Sequence, residues 1–213
     1  NYRYADLYFN QKMENFLHLH VEFFDHVGGV YREIVYDNLK SAVAKFVGRN
    51  HKKPTDELLK LSIYYNFKFR FCNTSQAHEK GHVEKSIEYI RRRVFSKRDN
   101  FSSLDEARQY LREELEKLNN NPQILADNKS ASEMLIQERQ YLLPLLPKYD
   151  SARVFERRIN KYSCFEVDSC FYSVPDSYVG EFVFVKAYPD KIIAYYRQEE
   201  IAEHRRRFGL YEW

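Results

Sequence analysis

Hydrophobic and polar positions along the chain switch between two periods, and the switches mark its elements. Residues 3–9, Arg-Tyr-Ala-Asp-Leu-Tyr-Phe, are rich in β-forming side chains, which predicts a strand. After Asn10 the apolar positions become Met13, Phe16, Leu17, His20, Val21 and Phe24, the spacing of a helix. Gly28-Gly29 supply the left-handed conformations that end a helix, and Val30 to Tyr36 returns to a strand whose last apolar residues precede Asp37. Pro54-Thr55-Asp56-Glu57 has the form of a helix start, with acids at the positive end of the dipole and Leu58, Leu59, Leu61, Ser62 and Tyr65 on its buried side. A short strand, Lys68-Phe69-Arg70-Phe71, follows. From about Gln76 to Phe95 a helix is expected, its apolar stripe formed by Val83, Ile87, Ile90 and Val94 and flanked by Glu84.

Ser102-Ser103-Leu104-Asp105-Glu106 predicts a further helix with a serine cap and early acids, closed by Asn119-Asn120-Asn121-Pro122. Residues 123–150 hold a short helix near Ser132 to Leu142 and the breakers Pro144 and Pro147, a composition that suits an extended link, with a boundary near Asp150. Beyond it, Val154 to Ile159, Cys164 to Val167, Phe171 to Val174, Phe182 to Ala187 and Ile192 to Tyr196 are short β-rich runs separated by turn residues, which predicts a small β-barrel.

Composition narrows the class. At 213 residues, with 44% hydrophobic and 31% charged residues, the chain is long enough for one or two domains with a core of their own. It has no apolar run of the ~18 residues that suggest a membrane span, so a soluble protein with no membrane partner is expected. A net charge of +3 says little about a nucleic-acid partner, and local clusters must carry that argument. Cys72, Cys164 and Cys170 form no C-x-x-C pair, and their odd number argues against a disulfide framework, which suits a reducing cytoplasm. His78 and His82 stand four apart, but the run His-Glu-Lys-Gly-His lacks the zinc-peptidase order. No glycine-rich phosphate loop and no G-x-S-x-G elbow is present, so ATP hydrolysis is not expected. The opening Asn1-Tyr2-Arg3-Tyr4 has neither an initiator Met nor the order of a secretory signal and reads as an internal start.

Two acids carry the candidate chemistry. Asp37 closes a strand and Glu84 lies on a basic helix after the next strand, so the two can converge at one edge of a sheet. Convergent carboxylates repel unless a cation sits between them, which makes both candidate ligands of a divalent metal. Each also has a plainer reading. Asp-Asn after a strand commonly forms a turn, and a helical Glu among cations commonly forms a solvated pair worth about 0.2–0.5 kcal/mol. The helix also carries Lys80, Lys85, Arg91, Arg92, Arg93, Lys97 and Arg98, either a solvated face or a set of phosphate contacts, and Lys80, Lys85, Arg91 and Arg92 are the candidate DNA ligands. Further basic groups stand at Arg153, Arg157, Arg158 and Lys161 and at Arg205, Arg206 and Arg207, among frequent aromatic residues.

Several phrases together resemble the IstA-type transposases of bacterial insertion sequences, within the DDE transposase and retroviral integrase superfamily. They are Phe23-Phe24 with Gly28-Gly29-Val30, the run from Arg32 through Ile34-Val35-Tyr36-Asp37-Asn38 to Val43, and Ala77-His78-Glu79-Lys80-Gly81-His82-Val83-Glu84. Tyr172-Ser173-Val174-Pro175, Tyr178-Val179-Gly180 and Ile201-Ala202-Glu203-His204 carry it into the last domain. The resemblance implies an α/β, RNase H-like integrase catalytic core lacking its first strands over residues 1–120, a helical connector over 121–150 and a small β-barrel over 151–213. It makes Asp37 and Glu84 the second and third acids of a DDE triad that holds two Mg2+ (or Mn2+) ions for DNA cleavage and strand transfer. The first acid belongs on an earlier strand, and Asp6 is the only early candidate. The resemblance thus implies a chain shortened at its start and after His204, inactive alone for want of the first Asp, whose alternative role is a DNA-binding or oligomerisation module. It also implies transposon-end and target DNA, an AAA+ ATPase helper and a homo-oligomer on DNA as partners, in the bacterial cytoplasm at the nucleoid.

Overall fold

A computed structural model describes residues 2–37, 42–47, 51–72, 86–123 and 127–209. The chain is mixed α/β and divides into two compact units, one of Asn1–Tyr8 with Leu19–Tyr149 and one of Phe9–His18 with Asp150–Trp213. Among the described residues no helix is long and apolar enough to cross a membrane.

Helix α1 (Met13–Val27), counted with the first unit from Leu19 onward, ends where Gly28 takes φ +78° and the amides of Gly28 and Gly29 both return to the Phe24 carbonyl. Gly29 is required for a second reason. A β-carbon there would stand 2.8 Å from Leu142 Cβ and 3.0 Å from the Leu143 carbonyl oxygen, because Val30 and Leu143 form an antiparallel bridge beside it. The chain then enters β1 (Glu33–Tyr36), which pairs in parallel with β4 (Lys68–Phe71), Tyr36 opposite Phe71. Between them lie the antiparallel pair β2 (Val43–Val47) and β3 (His51–Pro54) and helix α2 (Asp56–Tyr65). Thr55 caps α2 with its side chain on the Leu58 amide, and Asn66 closes it in the left-handed region at φ 57°. The helix buries Leu58, Leu61, Ser62 and Tyr65, the spacing the sequence predicts; Leu59 of the expected face is only half-buried.

The expected strand over residues 3–9 is absent. Residues 2–8 belong to no ladder, because a side chain takes the part of a neighbouring strand: buried Asn119 accepts from the Arg3 amide at 2.9 Å and donates to the Arg3 carbonyl at 2.8 Å. Arg108 Nε adds a bond to the Leu7 carbonyl at 2.9 Å. Asn119 lies on α3 (Leu104–Asn120), capped by Ser103 as the sequence predicts. The helix expected over 76–95 is described only from residue 86, with 86–90 α-helical and Arg91–Phe95 widened to π spacing. Its apolar stripe holds only in the last turn. Val94 is buried against Leu111 and Leu115 with Ile90 beside it, whereas Ile87 is exposed; Val83 lies outside the described residues. A short helix, α4 (Ala131–Glu138), follows with a full capping box between Ser130 and Glu133 and runs into a 3-10 turn, Arg139–Tyr141.

In the second unit, β5 (Arg153–Arg158), β8 (Phe182–Ala187), β9 (Lys191–Tyr196) and β10 (Glu199–Arg205) form one antiparallel sheet in the order β10-β9-β8-β5. The hairpin of β6 (Cys164–Val167) and β7 (Cys170–Ser173) makes a separate pair. Both sheets contribute to one core: Val183, Val185, Ala187, Ile192 and Ala194 from the larger, Phe165, Val167, Cys170 and Tyr172 from the hairpin. Strand alternation does this, since Phe182 and Phe184, which alternate with buried Val183 and Val185, are exposed. The expected small barrel is therefore an open sheet with a hairpin; among the described residues the ladders do not close. β10, like β2 and β3 of the first unit, is a strand that the sequence pattern does not reveal. Its turn, Arg197-Gln198, holds φ 47° and 72° in a two-residue hairpin loop that ordinarily carries Asn-Gly.

Candidate functional site

Asp37 follows directly on β1, at the carboxyl end of the parallel pair. In open α/β sheets, ligands bind outside the carboxyl ends of the parallel strands. The position is fixed from both sides. Tyr36 is buried, with its hydroxyl 2.9 Å from His20 Nε2 and its ring against Phe69 and Phe71, and burial pushes its phenol well above the ordinary range. The Cys72 amide donates to the Tyr36 carbonyl at 2.9 Å, so β4 is locked alongside up to the residue preceding Asp37. Asp37 itself is half-buried.

Glu84, Lys80 and Lys85 lie outside the described residues. Asp6, the one early acid, is turned to a structural role: Arg108 Nε stands 3.1 Å from its carboxylate and the pair is largely buried. Among the described residues no group of three or more His, Cys, Asp or Glu side chains is placed to hold a metal ion. Arg91 and Arg92 are both exposed; Arg92 pairs with Glu88 one turn earlier at 2.6 Å, while Arg93 and Arg3 face the ring of Tyr89 at 5.6 and 4.6 Å. An exposed pair of this kind is worth well under 1 kcal/mol, so a phosphate could displace it easily. In the same unit a depression of about 490 Å³ is lined by Arg112, Glu22, Asp25 and Glu116, with His26 Nε2 2.6 Å from the Tyr2 hydroxyl. Its polar groups are of both signs.

The basic clusters of the second unit separate into two kinds. Arg206 is buried, its side chain 1% exposed, and donates to Glu14 Oε1 at 2.6 Å, Asp168 Oδ2 at 2.8 Å and the Tyr188 carbonyl at 2.6 Å. Arg153 reaches the same Asp168 at 2.8 Å and Lys12 completes the set at 2.5 Å. Burial opposes ionisation of Asp168, but hydrogen bonds from Lys12, Arg153 and Arg206 outweigh it and hold the carboxyl well below its usual range. Asp168 is placed for this by the β6–β7 turn, in which Asp168 and Ser169 both have positive φ, 53° and 66°. Arg206 and Arg153 are thus structural. Arg157, Arg158, Lys161, Arg205 and Arg207 are exposed. Arg205 ends β10, and side-to-side alternation carried past that end, exposed Arg205, buried Arg206, exposed Arg207, is the signal that separates the inward arginine from its neighbours.

Similarity to known proteins gives this arrangement its context. Residues 143–213 match the family model described as Mu transposase, C-terminal domain. Over 203 residues, 95% of the chain, the sequence is 28% identical to the transposase for insertion sequences IS1326/IS1353 of Pseudomonas aeruginosa, of which the match covers 40%. The transposase for insertion sequence element IS21 of the same species is 27% identical over 87% of this chain and 48% of its own length. The chain is similar to insertion-sequence transposases. A transposase of Aminobacter aminovorans is 26% identical over 93% of the chain and 39% of its own length. The chain thus spans between two-fifths and one-half of the length of these curated relatives, and the similarity runs through both units.

Proposed function

We propose that this chain is the part of an IstA-type insertion-sequence transposase that joins an RNase H-like catalytic core to a C-terminal sheet unit, and that it serves DNA cleavage and strand transfer in transposition. The observation that carries the reading is the place of Asp37: a half-buried acid at the carboxyl end of a parallel strand pair, in a chain 28% identical to a transposase over 95% of its length. In this reading Asp37 is the second and Glu84 the third acid of a DDE triad. Their hard carboxylate oxygens suit Mg2+ or Mn2+. A bound ion of this kind would neutralise charge on the scissile phosphodiester and provide a nucleophile at neutral pH. The chain's own residues position that chemistry, Tyr36 and its bond to His20 holding the strand end on which Asp37 stands. Lys80, Lys85, Arg91 and Arg92 would contact DNA phosphates, which orient the strand without reading its sequence. The partners in this reading are transposon-end and target DNA, an AAA+ ATPase helper and further copies of the same protein on DNA, all in the bacterial cytoplasm.

The test is a transposition assay with a protein comprising residues 1–213 and the rest of its reading frame. Asp37→Asn and Glu84→Gln should each lower strand joining by at least about 100-fold, the scale of a displaced reacting group, while leaving DNA binding in place. Joining at the unmodified rate by either variant would sink the assignment. DNA binding without joining by the unmodified protein would favour a non-catalytic DNA-binding module instead. The 213-residue chain alone should not join DNA ends; Mg2+-dependent joining that Asp37→Ala abolishes would refute that expectation.

A further inference from the structure

Asp37 owes its place to one buried side chain. Strand β1 is four residues long; Glu33 and Val35 are exposed and Ile34 is half-buried, which leaves Tyr36 as its one fully buried member. Asp37 is joined to it directly, with consecutive α-carbons about 3.8 Å apart, so play in Tyr36 passes to the acid almost undiminished. The Tyr36 ring stands edge-on to Phe69 and tilted to Phe71, each 6.3 Å away between centroids. Apolar burial of this kind is non-directional and does not by itself fix how deep the ring sits. The hydroxyl supplies the missing direction. Its oxygen lies 2.9 Å from Nε2 of His20 on α1, and the His20 ring is set against the edge of Phe24, a wholly buried residue of the same helix. Burial raises the Tyr36 phenol, which therefore keeps its proton and acts as the donor. His20 then accepts at Nε2 and carries its own proton on Nδ1.

The ladder cannot do this work alone. The Cys72 amide on the Tyr36 carbonyl fixes β1 within the sheet, whereas the side chain stands roughly perpendicular to the sheet and sets the remaining direction. That direction matters for an acid that holds a metal. Mg2+ takes its oxygen ligands at about 2.0–2.1 Å, and a reacting group misplaced by about 1 Å can lose about 100-fold in rate. We propose that His20 is a positioning residue for DNA strand joining, fixing the Asp37 carboxylate through Tyr36 with its neutral imidazole protonated on Nδ1. The inference deepens the reading of Asp37 as a metal-binding acid and rests on it.

The test uses this chain with the rest of its reading frame. His20→Phe removes the acceptor and keeps a ring; Tyr36→Phe removes the donor and keeps the other ring. Each should slow joining at saturating DNA by about 10- to 100-fold with DNA affinity unchanged, and the double variant should be no slower than the slower single, because the two act as one unit. His20→Gln, whose amide oxygen can accept near the place of Nε2, should restore most of the rate. A second readout needs no turnover. Mg2+ raises the urea midpoint of a protein that binds it, and the Mg2+ concentration required should rise by about 10-fold or more in both phenylalanine variants but not in His20→Gln. Lower stability in chelator with unchanged joining and unchanged Mg2+ dependence would overturn the positioning role, as would losses that multiply in the double variant. Asp37→Asn keeps the two readings apart. Joining by that variant at the unmodified rate sinks the metal-acid reading, whereas an inactive Asp37→Asn beside a fully active His20→Phe sinks the role of His20 alone.

Discussion

Replacing Arg206 by methionine should be among the most damaging single changes to the second unit. Arg206 and Glu14 are both buried, with side chains 1% and 0% exposed, and their 2.6 Å contact is a charge-assisted hydrogen bond cut off from water. Glu14 has little else: its Oε2 has no hydrogen-bond partner, and Arg153 Nε stands 3.7 Å away. Removing the arginine strands a carboxylate in the interior, a loss of about 3–5 kcal/mol, against a domain stability of about 5–15 kcal/mol. Removing both charges is different. Asp168 keeps Lys12 and Arg153, and an apolar pair of similar volume avoids the desolvation of two ions, so Glu14→Leu with Arg206→Met should cost no more than about 1–2 kcal/mol. The double-mutant cycle should then show a coupling of at least about 1 kcal/mol, beyond the additivity expected of distant sites. Urea denaturation followed by circular dichroism, with the slope m held common, measures it. A loss below about 1 kcal/mol for Arg206→Met, or additive single changes, would refute the argument that this pair is desolvated and mutually dependent.

Other outcomes follow from local geometry. Ser130→Ala removes half of the capping box on α4 and should cost about 1 kcal/mol by the same denaturation assay, whereas Ser130→Asp should be nearly neutral. Gly29→Ala forces a β-carbon to 2.8 Å from Leu142 Cβ and should cost about 1–3 kcal/mol. Glu106 accepts from the Ser102 hydroxyl and amide and pairs with Arg98, and these hydrogen bonds, Ser102 first, lower its carboxyl to about 2. A lowered folded-state value means the contribution is complete above the unfolded value near 4.3 and fades as pH falls toward 2, so amide protection in the first turn of α3 should decline over that window. Protection unchanged down to pH 2 would show that the Glu106 carboxylate does not hold the cap.

Local signals were legible where they were self-contained. The Thr55 and Ser103 caps, the Gly28-Gly29 stop and the alternation of Phe182 to Ala187 each depend on a few adjacent residues, and the structure forms all of them. What could not be read depended on distant partners. The aromatic run at residues 3–9 has every mark of a strand, yet its ladder partner is the Asn119 side chain, 116 residues away. β10 was hidden because Glu199–Arg205 is polar and Arg197-Gln198 takes a turn usually marked by glycine. The Arg205-Arg206-Arg207 run reads as one basic patch, and only the alternation carried past the end of β10, with Glu14 waiting inside, divides it. Asp37 was placed correctly at a strand end by Ile34-Val35-Tyr36 alone; the residues expected to join it at Glu84 lie outside the described ones.

The bond between Glu14 and Arg206 joins positions 192 residues apart, and this sets a schedule for synthesis. Residues 9–18, counted with the second unit, emerge from the ribosome early, carrying an acid destined for a dry interior. At about 5–20 residues per second, its cation follows some 10–40 s later. Until then the opening turns of α1 have no interior to enter, and the sheet that buries them is a late, long-range closure of the slow kind. A ribosome halted before Arg206 should therefore hold a chain whose first unit can already be protected from protease while residues 9–18 remain open to cleavage.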